Sequence, residues 1–505
     1  MWDKTIKTIE LEHSIEVYWD KVTTGKFSAQ YNVTLKSSED GRIISDITSD
    51  KTHVLFDNLP AGCDYDVTVK WDELELNAEA CTLSSPVTID VTAPPFNCVG
   101  DGKTMNTMGL QSAFDACPKG GRVYVPEGTY LTGALDLHSD MELFVDREAT
   151  ILGTADINDY LPKIWSRFEG TEMECYRSLL NLGNLDRNSD FNCKNVVITG
   201  GGTICGGGAD LAKATIRYER ERLAKELSDL GDKIKEYEHK DTIPGRMRGR
   251  LINMSNCSHI TITDVTLKNG ASWNVHFIYS EDIVTSRCTF ISEGIWNGDG
   301  WDPDSSENCT IFGCKFFTGD DSVAVKSGKN PEGNVVNRPT RHIRIFDCAC
   351  AYGHGIAIGS EMSGGIEDVR IWDCDMGNSM SGIEIKATKK RGGYVRDIVV
   401  DNTIVSHISF HSVGYNDDGI GAPQPPIFEN CSFSNLEIWG ELYNHERERI
   451  PCHAIELIGF EDPGHELKNV TFESCTLGKP GQPRREQTLN LGLASGLNFT
   501  NLKVL

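Results

Sequence analysis

At 505 residues the chain exceeds one ordinary domain, so the expectation is two domains, or a repeat architecture in which each unit touches only its neighbours. A formal net charge of −25 at pH 7 repels nucleic acid and anionic membranes, and both are excluded as partners. No apolar run of about 18 residues offers a membrane span.

The opening Met1-Trp2-Asp3-Lys4-Thr5-Ile6-Lys7 lacks the apolar centre of a signal peptide, which points to the cytoplasm, with a secreted chain whose signal has been removed as the alternative. Seventeen Cys is a large, odd number that in a secreted protein would suggest disulfides plus one thiol. Cys257, Cys288, Cys314, Cys348, Cys374, Cys431 and Cys475, however, each follow an apolar pulse. That is the place of a small buried residue in a stacked interior ladder, so the expectation is a reduced ladder.

Residues 1–92 read as short alternating strands, Ile15–Trp19, Tyr31–Leu35 and Tyr65–Val69, separated by polar turns. The string Leu59-Pro60-Ala61-Gly62-Cys63-Asp64-Tyr65-Asp66-Val67-Thr68-Val69 resembles the tyrosine-corner region of fibronectin type III domains, with Trp19 as the core Trp. No row of exposed aromatics is evident, so this unit reads as a spacer or packing surface rather than a carbohydrate binder. Ser84-Ser85-Pro86 and Ala93-Pro94-Pro95 bracket a linker.

The second domain, 96–505, opens on a turn at Val99–Thr104 and a short helix around Gln111–Cys117 that would cap the first coil of a solenoid. Residues 209–240 break the strand pattern with a charged segment whose Leu223, Leu227, Leu230, Ile234 and Tyr237 form a helical stripe that Gly231 interrupts. Such an inserted helix could close one end of a groove, pair with a second copy in a homodimer, or be a solvated surface excursion. Arg246, Arg248 and Arg250 follow it.

Between Ile295 and Tyr394 lie four Gly-flanked polar clusters: Asn297-Gly298-Asp299-Gly300, Gly319-Asp320-Asp321, Gly353-His354-Gly355 and Glu384-Ile385-Lys386. The apolar pulses around them end at Cys288, Cys314, Cys348 and Cys374, in steps of 26, 34 and 26 residues that suit the coils of a parallel β-solenoid. Asp320 follows Cys314 by six residues and His354 follows Cys348 by six, so the two share a phase. Equal phase on successive coils stacks side chains about one strand spacing apart, roughly 4.8 Å. Asp299 precedes Asp320 by 21 residues and belongs near the same column one coil earlier. Crowded carboxylates cannot all ionise, so one of them should hold a proton near neutral pH.

The set Asn-x-Asp, Asp-Asp, Gly-His-Gly and x-Ile-Lys, in this order, resembles glycoside hydrolase family 28, the polygalacturonases. The strings Asp299–Ser306, Gly319–Gly328 and Gly359–Gly365 are similar to its bacterial exo-acting branch, and the likeness covers roughly residues 96 to 505. The resemblance implies an all-β fold, a right-handed parallel β-helix behind the small N-terminal sandwich. It implies hydrolysis of a pectic galacturonan from chain ends with inversion and without a cofactor or metal.

By the same resemblance Asp320 is the general acid, Asp299 and Asp321 hold and activate water, and His354 tunes the acid. Asn297, Lys326, Glu361, Glu384, Lys386, Arg391 and Tyr394 would contact substrate. The family's last motif is usually Arg-Ile-Lys, so Glu384 removes a bidentate partner of a substrate carboxylate. Lys326, Lys389, Lys390 and Arg391 are the residues that could compensate, and the basic residues after Lys386 are expected to gather at the cleft. The competing readings are a hydrolase of a modified or rhamnose-containing pectic oligosaccharide, a Ca²⁺-dependent pectate lyase with Asp299, Asp302 and Asp304 as ligands, and a non-catalytic saccharide-binding solenoid.

Overall fold

The computed structural model describes residues 3–21, 30–482 and 488–505; Met1 and Trp2 of the opening lie outside them. Contacts divide the chain into two compact units, Met1–Thr88 with Gly120–Arg122, and Ile89–Lys119 with Val123–Leu505.

The first unit has two antiparallel sheets. One pairs Lys7–Glu10, Ile15–Tyr18 and His53–Phe56; the other orders Ile43–Ser49, Tyr31–Ser37, Asp64–Trp71 and Leu74–Cys81. Every second residue of Tyr31–Ser37 and Asp64–Trp71 is buried, the period that one wet face and one dry face impose. Trp19 lies in this core with its ring edge-on to Tyr31, centroids 5.2 Å apart.

The second unit is a right-handed parallel β-helix of three long sheets with 14, 13 and 11 strands. Val284 pairs with Thr310, Thr310 with Arg344 and Arg344 with Arg370, which repeats the 26, 34 and 26 steps of the cysteines. Interior positions stack like on like: Cys309, Ile343, Val369 and Ile398 form one column of the core. All seventeen cysteines are free thiols, and Cys257, Cys288, Cys314, Cys348, Cys374, Cys431 and Cys475 are buried. The backbone N–H of Cys288 donates to Cys314 Sγ at 3.4 Å, so neighbouring rungs of the ladder touch.

Each pulse also carries a residue in the left-handed region, at Asp282, Asn308, His342, Asp368 and Asp397, with φ between 50° and 58°. Asn, Asp and His tolerate that conformation better than other side chains, which is why a polar residue recurs at one phase of an otherwise apolar strand.

The helix Thr107–Asp115 buries Leu110, Ala113 and Phe114 against the first coils, as a cap should. The insertion differs from the expected stripe. Its long helix is Gly208–Arg222, which buries Leu211, Ala212, Thr215 and Glu219, whereas Leu223, Leu227, Leu230, Ile234 and Tyr237 ride half-buried on the short pieces Ala224–Asp229 and Gly231–Glu236 and the residue that follows. Gly231, at φ 52°, separates those pieces.

Aromatic side chains stack coil over coil: Phe312 on Phe346 at 4.7 Å and Phe346 on Trp372 at 4.4 Å. Replacing Phe346, the middle ring, with Ala should cost about 3–5 kcal/mol in denaturant or thermal unfolding. A loss under about 1 kcal/mol would mean that the column adds nothing to coil stacking.

Candidate active site

The 11-stranded sheet positions the polar clusters. Asp299 precedes the strand Trp301–Asp304, Asp320 and Asp321 precede Val323–Val325, His354 precedes Ile356–Ile358, and Glu384 and Lys386 lie inside Ile383–Ala387. These strands are successive neighbours in one sheet. The backbone N–H of Gly300 donates to Asp321 O at 2.9 Å and that of His354 to Asp320 O at 2.9 Å, which fixes the three acids and the imidazole side by side. Gly353 and Gly355 flank His354 because nothing larger fits. Both have positive φ, and a Cβ would come 2.1 Å from Thr318 Oγ1 at the first and 2.2 Å from Gly382 O at the second.

His354 Nδ1 lies 2.9 Å from Asp320 Oδ1 and 3.4 Å from Asp321 Oδ1. Burial alone would push the imidazole proton off, but the two carboxylates outweigh it and hold His354 as imidazolium well above its ordinary range. Burial would likewise raise Asp320; the His354 charge, then Lys386 and Lys326, bring it down to about 2. Asp299 goes the other way. Buried and crowded by Asp320 and Asp321, it is raised well above a normal carboxyl despite Lys326. The shared proton that crowding predicts therefore rests on Asp299, and the Asp320 side holds its own on His354.

Two lysines line the site among the described residues, and both are spoken for. Lys326 Nζ lies 3.2 Å from Asp299 Oδ2 and 3.6 Å from Glu361 Oε2. Lys386 Nζ lies 2.8 Å from Glu384 Oε2 and 3.7 Å from Asp321 Oδ2. These residues open on one cleft of about 710 Å³, which Asn297, Asp299, Asp320, Asp321, Lys326, His354, Glu361, Glu384 and Lys386 all line. The cleft also takes Glu169, Glu238, Trp273, Trp296, Tyr415 and His445, which no motif announced; they come from a hairpin turn, the insertion and loops, where spacing along the solenoid gives no signal.

Arg391 and Tyr394 are not brought to the cleft. Arg391 is buried and donates to Ser360 O, Asn330 Oδ1 and Asn416 O at 3.0, 2.7 and 2.9 Å, bracing the cleft wall from behind. Tyr394 begins Tyr394–Asp401, a strand of the 14-stranded sheet, and packs under Arg396. The expected gathering of basic residues is also overturned. Lys389 pairs with Glu461 and Asp462, and Lys390 with Glu236. Arg246 donates to Glu169 and Asp418, and Arg248 to Trp296 O and Asn297 Oδ1. Arg250 is buried over Phe168 and Trp273.

Asp302 and Asp304 do not join Asp299 around a cation. Asp304 accepts from Arg167 and from the Gly328 N–H and lies 3.4 Å from His276, while Asp302 is fully buried with its carboxyl raised by burial and by Asp299. Donor atoms of Asp320, Asp321 and His354 lie within 4.8 Å of one another.

Substitution His354→Gln should remove the charge that keeps Asp320 low and the proton stored beside it. The basic limb of the pH–rate profile should then move to lower pH, with neutral-pH turnover down by about 10²-fold. An unmoved limb would show that His354 only packs.

Residues 182–418 match the family Glycosyl hydrolases family 28. A probable polygalacturonase of Vitis vinifera is 37% identical over 343 residues, which is 65% of this chain and 62% of that protein. The exo-poly-alpha-D-galacturonosidase of Dickeya chrysanthemi is 29% identical over 493 residues, 88% of this chain and 78% of that one. Among solved structures, the hyperthermoactive exopolygalacturonase of Thermotoga maritima superposes with a TM-score of 0.67 at 26% identity, covering 83% of this chain and 91% of that one. The family 28 exopolygalacturonase of Yersinia enterocolitica superposes with a TM-score of 0.78 at 20% identity over 100% and 99% of the two chains, a likeness of fold. The acids and imidazole assembled on one face of the β-helix all lie within the segment, residues 182–418, that matches glycoside hydrolase family 28.

Proposed function

We propose that the protein is a pectin-degrading polygalacturonase that releases sugar units from the chain ends of (oligo)galacturonides by acid and base hydrolysis with inversion. The observation that carries this reading is the contact of His354 with both Asp320 and Asp321 at an open cleft. Hydrolysis needs one carboxyl group to protonate the leaving oxygen and another to activate water. Asp320, a quarter exposed, faces the cleft and takes its proton from His354 as the substrate displaces water; Asp321, almost covered, takes the proton that the attacking water loses, and Asp299 helps to orient that water. Lys326 and Lys386 hold the charge of this crowd in check.

Exo action is supported by Glu238 of the inserted segment, which lines the cleft beside Glu169 and Asn416, and by the names of the Dickeya and Thermotoga relatives. A lyase would need a free basic group over the substrate, whereas Lys326 and Lys386 each face two carboxylates and Arg246, Arg248 and Arg250 are buried.

Asp320→Asn should lower kcat by about 10²–10⁴-fold with KM little changed. With tetragalacturonate, chromatography should show monomer and trimer in equal amounts before any dimer, and ¹H NMR should show the β anomer first. Near-normal turnover of the variant, or an unsaturated product absorbing in the ultraviolet, would overturn the assignment.

A further inference from the structure

The walls of the cleft are acidic. Glu169, Glu238, Asp320, Asp321, Glu361 and Glu384 line it together with the protonated Asp299, against Lys326, Lys386 and the His354 imidazolium. A free uronate needs a cation with hydrogen bonds to spare, yet each of those lysines already faces two carboxylates.

Glu384 is the residue that changes this balance. It stands where the family pattern has Arg, with Oε2 2.8 Å from Lys386 and Oε1 2.6 Å from His411 Nε2. His411 continues to Glu456, its Nδ1 3.8 Å from Glu456 Oε1, and Asn490 donates to the other oxygen of Glu456 at 2.7 Å. The pairing follows the sheet: Lys386 sits beside His411, and Glu456 beside Ser409, on successive strands. Glu384 is therefore held from both sides and cannot swing away to free Lys386. Burial works against its charge, but Lys386 and His411 outweigh that and keep it ionised. A uronate brought to Lys386 would lie against this fixed carboxylate, and like charges at such range repel.

We propose that Glu384 makes the position beside Lys386 selective for a pectic unit without a free carboxylate, either a methyl-esterified galacturonate or a neutral sugar. This rests on the polygalacturonase reading above. Glu384 accepts hydrogen bonds from the hydroxyls of that unit, and Lys386 serves chiefly as counter-ion to Asp321 and Glu384.

The test compares kcat/KM on three end-labelled oligosaccharides, a free oligogalacturonide, its methyl ester and an oligomer alternating rhamnose with galacturonate, for wild type, Glu384→Gln and Glu384→Arg. Wild type should prefer one of the two uncharged-unit substrates over the free acid by about tenfold or more, and which one identifies the unit. Glu384→Arg should reverse that ratio through KM, and Glu384→Gln should reduce it. A wild type that favours the free acid, or a ratio unchanged in Glu384→Gln with its melting temperature intact, would overturn the proposal. Failure to cleave any of the three would instead sink the polygalacturonase reading.

Discussion

In a parallel β-helix the distance between equivalent residues on neighbouring coils is set by backbone hydrogen bonds at about 4.8 Å, and side chains cannot relax away from it. Inside, this spacing is favourable: Cys309, Ile343, Val369 and Ile398 stack in register and are buried, and the small thiols of the cysteine ladder are buried with them. On the outer face the same spacing forces charged groups together. Asp299, Asp320, Asp321 and His354 come from three coils, and their only relief is to share protons and lysines. The chemistry of the site is a consequence of this crowding: Asp299 keeps a proton, Asp320 gives its own to His354, and Lys326 and Lys386 each serve two acids.

What the coils cannot supply is a wall. The hairpin Ile164–Phe168 and Thr171–Cys175 presents Glu169 at its turn, and the insertion contributes Glu238. Buried arginines hold these additions in place. Arg167 reaches from the hairpin to Asp304 on the catalytic sheet, Arg246 ties Glu169 to Asp418, and Arg391 ties Asn330 to the wall residues Ser360 and Asn416. Each guanidinium, with several donors in a fixed fork, can satisfy several acceptors at once and so compensate for its own burial. The positive charge of this half of the chain is thus spent on architecture, and the cleft is left with an excess of acids.

Periodicity made the solenoid legible, because the cysteine steps count coils directly, and phase made the Asp320–His354 contact legible before any fold was known. Lys326 and Lys386, which the family resemblance named, both line the cleft. Proximity in sequence misled for Arg391 and Tyr394. A few residues past Lys386 the chain leaves the catalytic sheet, so Arg391 turns inward and Tyr394 starts a strand on another face. The helical stripe at Leu223–Tyr237 was real as a pattern, but the face that packs belongs to the preceding Gly208–Arg222, whose buried side of Leu211, Ala212 and Thr215 is too short and mixed to stand out. Glu169, Glu238 and His445 sit on a turn and in irregular segments, where neither period nor phase exists to place them.

The account stands on His354 being charged by its two carboxylates. Selective ¹⁵N labelling of histidine, with the His354 resonances assigned by their loss in a His354 variant, reads this directly in a pH titration. The imidazolium signature should persist well above the ordinary imidazole pKa of about 6.5. A His354 that titrates at or below that value would mean that the acids do not face it as described, and the shared-proton cluster would have to be abandoned.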